Sequence, residues 1–184
     1  MNKYLDLIVE VVNLYDIYNA DHARKVKFFS VKLAEKMNLK KERIELIAKG
    51  ALIHDIGKLL LPHDILNKPG ILDIEEKKII ERHSIIGANL VKKVGLEQEI
   101  QEIVRYHHER WDGKGYPDRL KGEEIPLAAR IVSLSEYYYT AVSDNFIAGN
   151  QSKEETIVKI NELRGKKFDP DIVDIFIDLI KTII

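Results

Sequence analysis

Apolar residues along this chain recur at three- and four-residue intervals and nowhere alternate over strand length, so the pattern predicts helices throughout and an all-α fold. Residues 2 to 17 read as a first amphipathic helix through Leu5, Ile8, Val12 and Tyr15. A second, capped by Asp21, runs to about Met37 and turns His22, Val26, Phe29 and Leu33 inward. The third, after Lys41, sets Ile44, Ile47, Ala51, His54 and Lys58 on one stripe, with Asp55 about 100° round from His54. Pro62, Pro69 and Gly70 then enforce a long loop. A fourth helix from about Asp73 to Val94 carries Ile79, His83, Ile86, Leu90 and Val94, and Gly95 stops it. The fifth, near Glu97 to Glu109, aligns Ile100, Ile103, Val104, His107 and His108.

Between Trp111 and Ile125 the breakers Gly113, Gly115, Pro117 and Gly122 predict an ordered loop. Pro126, at a first helical position where its missing amide hydrogen costs nothing, begins a sixth helix that passes through Ile131, Glu136 and Tyr139 to about Ser143. Two shorter helices, near 152 to 164 and 170 to 183, close a bundle of about seven to eight. No repeat, low-complexity tract or Gly/Ser/Pro-rich linker interrupts residues 1–184, so one domain is expected, with residues 1–18 either joining the core or serving as a connector or dimer helix.

Composition narrows the chemistry. With 184 residues and 45% apolar content, the chain can bury one full core. Its 29 basic and 30 acidic residues leave a formal charge of −1, which gives no global field for polymeric nucleic acid or an anionic membrane. Lys3, Asp6, Glu10 and Asp16 interrupt the apolar opening stretch, which therefore reads as neither a signal peptide nor a membrane span; a cytoplasmic protein is expected. The absence of cysteine removes thiolate zinc sites and thiol nucleophiles, so any metal is held by nitrogen and oxygen.

Five of the six histidines, His22, His54, His83, His107 and His108, lie on the apolar faces of four predicted helices. One histidine on an apolar stripe is more often a hydrogen-bonded core residue than a ligand. Five would need partners for ten ring nitrogens, and one shared metal centre inside the bundle satisfies them together. With Asp55 beside His54, the set suits two divalent ions roughly 3.5 to 4 Å apart, which lower the pKa of a bridging water to ~7 for in-line attack on a phosphate ester. Lys58, on the His54 face, is placed to neutralise charge on non-bridging phosphoryl oxygens.

The run His54-Asp55-Ile56-Gly57-Lys58 resembles the signature of the HD phosphohydrolase superfamily. His107-His108-Glu109-Arg110-Trp111-Asp112-Gly113-Lys114-Gly115-Tyr116-Pro117, followed by Leu120, Gly122 and Ile125-Pro126, is similar to the hallmark of its HD-GYP subfamily. His22 with Val26, Lys68-Pro69-Gly70, His83 followed by Gly87, Arg130-Ile131 and Phe168-Asp169-Pro170 extend the match over almost the whole chain from about residue 16. The resemblance implies an HD-type helical bundle and a bacterial signalling phosphodiesterase that opens cyclic di-GMP to pGpG and often on to GMP. It further implies that His22, His54, Asp55 and Glu136 hold one metal and that Asp55, His83, His107 and His108 hold the other, with Asp55 bridging. Fe or Mn is expected, with Mg, Co, Zn and Ni as alternatives. Lys58, Lys114 and Tyr116 are candidate substrate contacts, and Arg110 and Arg119 either extend a positive rim or are ordinary solvated loop charges. Gly113, Gly115, Tyr116 and Pro117 form a tight turn with Tyr116 as a plug, or present a surface to a diguanylate cyclase, sensor or receiver domain. A homodimer is also open. Of Tyr137, Tyr138 and Tyr139, three successive helical positions that cannot share a face, at least one is expected outside the core or along the cavity.

Three positions and one stretch depart from the subfamily pattern. Glu136 stands where aspartate is usual, Tyr139 replaces an aspartate, and Tyr18 occupies the place of a glutamate that recruits a third metal, so two metals are expected. Ser143-Asp144-Asn145-Phe146-Ile147-Ala148 lacks two arginines common in that stretch. Two alternatives therefore stand beside the phosphodiesterase: a catalytically weak metal-binding signalling or docking module, and a hydrolase of another phosphoester such as a linear dinucleotide.

Overall fold

The computed structural model describes residue 9, residues 17–143 and residues 152–183. The predicted first helix, apart from Val9 and Ile17, and the stretch Asp144–Ala148 lie outside them, as does the side chain of Tyr18. The architecture is all-α, as the periodicity predicts. Helices α1 (Ile17–Lys36) and α2 (Lys41–Ile53) pack side by side, and a 3-10 turn (Ile56–Leu60) leads through the short α3 (His63–Leu66) to α4 (Ile74–Glu81) and α5 (His83–Lys93). After α6 (Gln98–Tyr106) and the loop with its 3-10 turn at Gly122–Glu124 come α7 (Leu127–Val142), α8 (Lys153–Glu162) and α9 (Pro170–Ile183).

Helix α7 is the axis of the bundle: Ala128, Ala129, Ile131, Val132 and Leu134 are fully buried, so it meets apolar neighbours on most of its circumference. Its main partners are α1 and α6. Val26, Leu33 and Ala34 of α1 and Ile47 and Ala51 of α2 close the larger core with Phe176 and Ile180 of α9. A second cluster, built on Ile53, Ile56, Val91, Ile100 and Val104, joins the end of α2 to α5 and α6, and Val9 packs against it. The two clusters flank the histidines.

Several boundaries differ from the periodicity. Asp21 is not a cap: no glycine or proline interrupts residues 17–36, the helix runs through it, and its carboxylate accepts from the Tyr139 hydroxyl at 3.1 Å. Helix α2 ends at Ile53, and residues 56–60 tighten into a 3-10 turn, which puts Lys58 three residues after Asp55 on an eclipsed face. The single helix expected from Asp73 to Val94 is two, α4 and α5, hinged at Arg82, whose N–H reaches back to Ile79 at 3.2 Å. Asp73 and Glu76 form the capping box that starts α4. Pro126 caps α7 from just outside, its carbonyl accepting from Ala129 and Arg130.

Candidate metal centre

Three histidines are oriented by the same local device. Nδ1 of His54 lies 2.8 Å from the Ala51 carbonyl, Nδ1 of His83 lies 2.7 Å from that of Ile80, and Nδ1 of His107 lies 3.0 Å from that of Val104. A carbonyl oxygen only accepts, so each Nδ1 carries the ring proton and each Nε2 presents a bare lone pair. Those lone pairs converge on Asp55: its Oδ2 is 3.4 Å from Nε2 of His54, and its Oδ1 is 3.3 Å from Nε2 of His83 and 3.9 Å from Nε2 of His107.

The seven predicted ligands fall into two quartets with Asp55 in both. Asp55, His83, His107 and His108 bring one donor atom each within 4.8 Å of one another, as do His22, His54, Asp55 and Glu136. His54 and His107 are fully buried and His83 is 1% exposed, whereas Asp55 is 15% exposed. The ring of His22 lies 5.5 Å from those of His54 and Tyr139, tilted against both. His108 lies 4.1 Å from His107 and 4.8 Å from Tyr116. The sixth histidine, His63, lies apart on α3 and is exposed.

The donor set fits divalent cations. Nε2 of His83 and Nε2 of His107 are 3.3 Å apart, and with both Nδ1 atoms protonated there is no hydrogen to share between them. Nε2 of His54 and Oδ1 of Asp55 are buried with no hydrogen-bond partner. Imidazole and carboxylate lone pairs facing one another in a closed space repel unless a cation offsets them, and the carbonyl contacts at Nδ1 are the outer support that histidine ligands use.

Electrostatics agree. Burial holds all five histidines below their usual range, which leaves them neutral and able to donate a lone pair. Burial alone would raise the Asp55 carboxyl, but Lys58, His54, His83 and His107 outweigh it and hold that carboxyl well below the carboxylate range. The Lys58 ammonium donates to Oδ2 at 2.6 Å. Burial, then the Asp55 charge, pushes Glu136 up to about 7.

The loop after α6 is tightly built. A Cβ at Gly115 would lie 2.4 Å from the Arg110 nitrogen and 2.6 Å from the His108 carbonyl oxygen, so only glycine lets the chain fold back on the histidine pair. Buried Glu109 accepts from the Asp118 amide at 2.7 Å, and Arg105 grips Asp118 through two bonds of 2.8 and 2.9 Å. Gly113 takes φ +75°. Trp111 and Asp112 donate to the carbonyls of Lys167 and Lys166, and Arg130 of α7 meets Asp169 at 2.5 Å, so the loop is fixed to the start of α9. Tyr116 faces His108 and His83 on one side and on the other lines a cleft of about 560 Å³ with Lys114 and Pro117.

Of the three successive tyrosines, Tyr138 is core, against Phe29 and Phe176, and Tyr139 borders the centre. Tyr137 packs on Phe168 beneath the ammonium of Lys167, 4.6 Å from its ring. Lys167 is a residue that periodicity misses. Burial lowers its pKa and its strongest carboxylate influence is Glu136. Its only signal in the sequence is its place before Phe168-Asp169-Pro170. Among the described residues, no helix is long and apolar enough to cross a membrane.

Residues 8–172 match the family model of the HD domain. The chain is 35% identical over 186 residues to a cyclic di-GMP phosphodiesterase of Thermotoga maritima, covering 98% of this chain and 50% of that protein. It is 30% identical over 159 residues to 3'3'-cGAMP-specific phosphodiesterase 2 of Vibrio cholerae, covering 85% and 30%. In three dimensions it resembles Bd1817, a protein of the HDG"Y"P kind from Bdellovibrio bacteriovorus, at TM-score 0.72 and 23% identity over 87% of this chain and 51% of that one. The chain thus spans half or less of the length of these curated relatives. With the family model covering most of its residues, the chain belongs to the HD domain family.

Proposed function

We propose that this domain is a metal-dependent phosphodiesterase that hydrolyses a cyclic dinucleotide, with cyclic di-GMP as first choice and pGpG or GMP as product. One observation carries the reading: Asp55 belongs to two histidine-rich quartets whose bare Nε2 atoms face it. The names of the relatives support the substrate class, and the spread between cyclic di-GMP and 3'3'-cGAMP among them makes the preferred dinucleotide the finer question.

His22, His54, Asp55 and Glu136 would hold one ion and Asp55, His83, His107 and His108 the other, with iron or manganese favoured by a donor set without sulfur. When bound, such ions supply Lewis-acid charge and make water acidic enough to ionise near pH 7. The chain's own part is positional. The carbonyls of Ala51, Ile80 and Val104 fix the imidazoles, Lys58 sets positive charge at the Asp55 edge where a non-bridging phosphoryl oxygen would carry negative charge, and Tyr116 bounds the space. In the overall reaction one phosphorus–oxygen ester bond is exchanged for a bond to water oxygen, and the departing sugar oxygen takes a proton.

The test is chromatographic product analysis with cyclic di-GMP and 3'3'-cGAMP, using protein purified without oxygen and loaded with Mn(II) or Fe(II), wild type beside Asp55→Asn. Linear product from wild type alone is expected. Intact dinucleotide with metal bound would make a binding module the better reading, and equal turnover by Asp55→Asn would end the shared-carboxylate mechanism.

A further inference from the structure

Between α4–α5 and the loop after α6 lies a cleft of about 560 Å³ that shares Tyr116 with the metal centre. Lys78, Arg82, Lys114 and Arg119 line it, against Glu81 as its acidic member. Four cations around one concave space, in a chain of net charge −1, are a local concentration that composition does not predict. Arg82 stands at the α4–α5 hinge directly before His83, and Arg119 takes φ +57° in the loop that carries Tyr116.

We infer that this cleft holds the second, non-reacting phosphate half of a cyclic dinucleotide, with Arg82, Arg119 and Lys114 as its anion contacts and Glu81 as a counterweight that limits affinity. The inference rests on the phosphodiesterase reading and adds to it where the remainder of the substrate goes. A cyclic dinucleotide carries two phosphates, and a centre that engages one leaves the other beside it. The cleft offers guanidinium groups suited to forked contacts with phosphate. Its volume accommodates a nucleotide half, and Tyr116, one ring thick, separates it from His108 and His83.

The experiment compares two substrates and adds a binding measurement. Mn(II)-loaded wild type, Arg82→Ala/Arg119→Ala and Glu81→Gln are assayed with cyclic di-GMP and with bis(p-nitrophenyl) phosphate, a diester with no second phosphate. Metal-free samples are titrated with cyclic di-GMP by calorimetry at low ionic strength. The double variant should raise KM for the dinucleotide at least tenfold and lower the dinucleotide-to-diester ratio of kcat/KM by a similar factor. Glu81→Gln should move both quantities the other way, and calorimetric affinities should follow the same order. An equal effect on both substrates, or no effect on the dinucleotide, overturns the cleft as a phosphate site. Should wild type cleave neither substrate, the phosphodiesterase reading fails, and calorimetry alone decides the cleft: the predicted order of affinities upholds it, and absent or unordered binding overturns it.

Discussion

A Cβ placed on Gly57 would lie 1.9 Å from the carbonyl oxygen of His83 and 2.7 Å from the amide nitrogen of Gly87. Both obstacles are backbone, so no side-chain rearrangement relieves them. Gly57 therefore sets the distance between the 3-10 turn after Asp55 and the first turn of α5, and with it the 3.3 Å approach of Asp55 to His83. Gly57→Ala should push α5 away at a cost of about 3 kcal/mol, the scale of overpacking in a tight core. For a chain of this size that is a fall in Tm of about 6–12 °C. Metal analysis should show loss of at least the ion held through His83, and a variant with wild-type Tm and metal content would contradict the close approach.

The centre without metal should lose stability on acidification. Each of the five histidines is held by burial below its ordinary value of 6.5. Below about pH 6.5 the unfolded chain takes up protons that the folded chain refuses, so their contribution, present above that pH, is lost as pH falls. Glu136 acts in the opposite sense: raised from 4.5 to about 7, chiefly by burial, it contributes below pH 4.5 and loses that contribution as pH rises toward 7. Five groups oppose one, so the Tm of chelator-treated protein should drop between pH 7.5 and 5.5. Glu136→Gln removes the opposing slope and should make the drop steeper. A flat profile in both proteins would mean that the histidines titrate normally.

Asp169 has two duties at one carboxyl. Oδ2 pairs with Arg130 at 2.5 Å, and Oδ1 accepts from the amides of Asp171 at 2.9 Å and Ile172 at 3.4 Å, at the start of α9. The carboxylate is 6% exposed and Arg130 also lies over the Trp111 ring. Asp169→Ala should cost about 3–5 kcal/mol, because it strands a buried guanidinium and removes a cap. Asp169→Asn keeps the cap and should recover part of that loss in a chemical denaturation series. Equal losses from the two substitutions would show that the ion pair alone matters.

Residues whose role depends on periodicity were legible in the chain. Val26, Leu33, Ile47, Ile103 and Ile131 are fully buried where helical spacing puts them, and His22, His54, His83 and His107 share those stripes. The ligand partition followed from family motifs, since no spacing rule assigns Glu136 to His22 rather than to His83. What stayed hidden was set by contacts between distant segments. The hinge at Arg82 and the 3-10 turn at 56–60 reflect the meeting of Gly57 with α5, and a single helix is the natural reading of residues 73 to 94 until that meeting is known. Asp21 read as a cap because its residue type favours helix starts, but residues 17–36 contain nothing to stop a helix. Arg82 and Glu81 carry no signal in the apolar periodicity, and only the loop at Gly113–Pro117 turns their surface into one wall of a cleft.

Lys58 offers two separable roles. Its ammonium donates to Asp55 Oδ2 at 2.6 Å, and its charge helps keep that carboxyl ionised despite burial. If its part in turnover is to offset charge on a phosphoryl oxygen, Lys58→Ala should lower kcat by about 10²–10³-fold, the usual loss for one charged contact to a developing oxyanion. Metal content should be unchanged, because the histidines and Asp55 still present their donors. Lys58→Arg should recover part of kcat, since the positive charge returns on a bulkier group. The competing role predicts a different pattern: if Lys58 chiefly maintains Asp55 as a ligand, Lys58→Ala should lose metal near pH 6, regain it at higher pH and regain turnover in parallel. Metal analysis beside kcat at two pH values separates the roles. Full metal occupancy with a depressed kcat at both values assigns Lys58 to the substrate, and recovery of both together assigns it to Asp55.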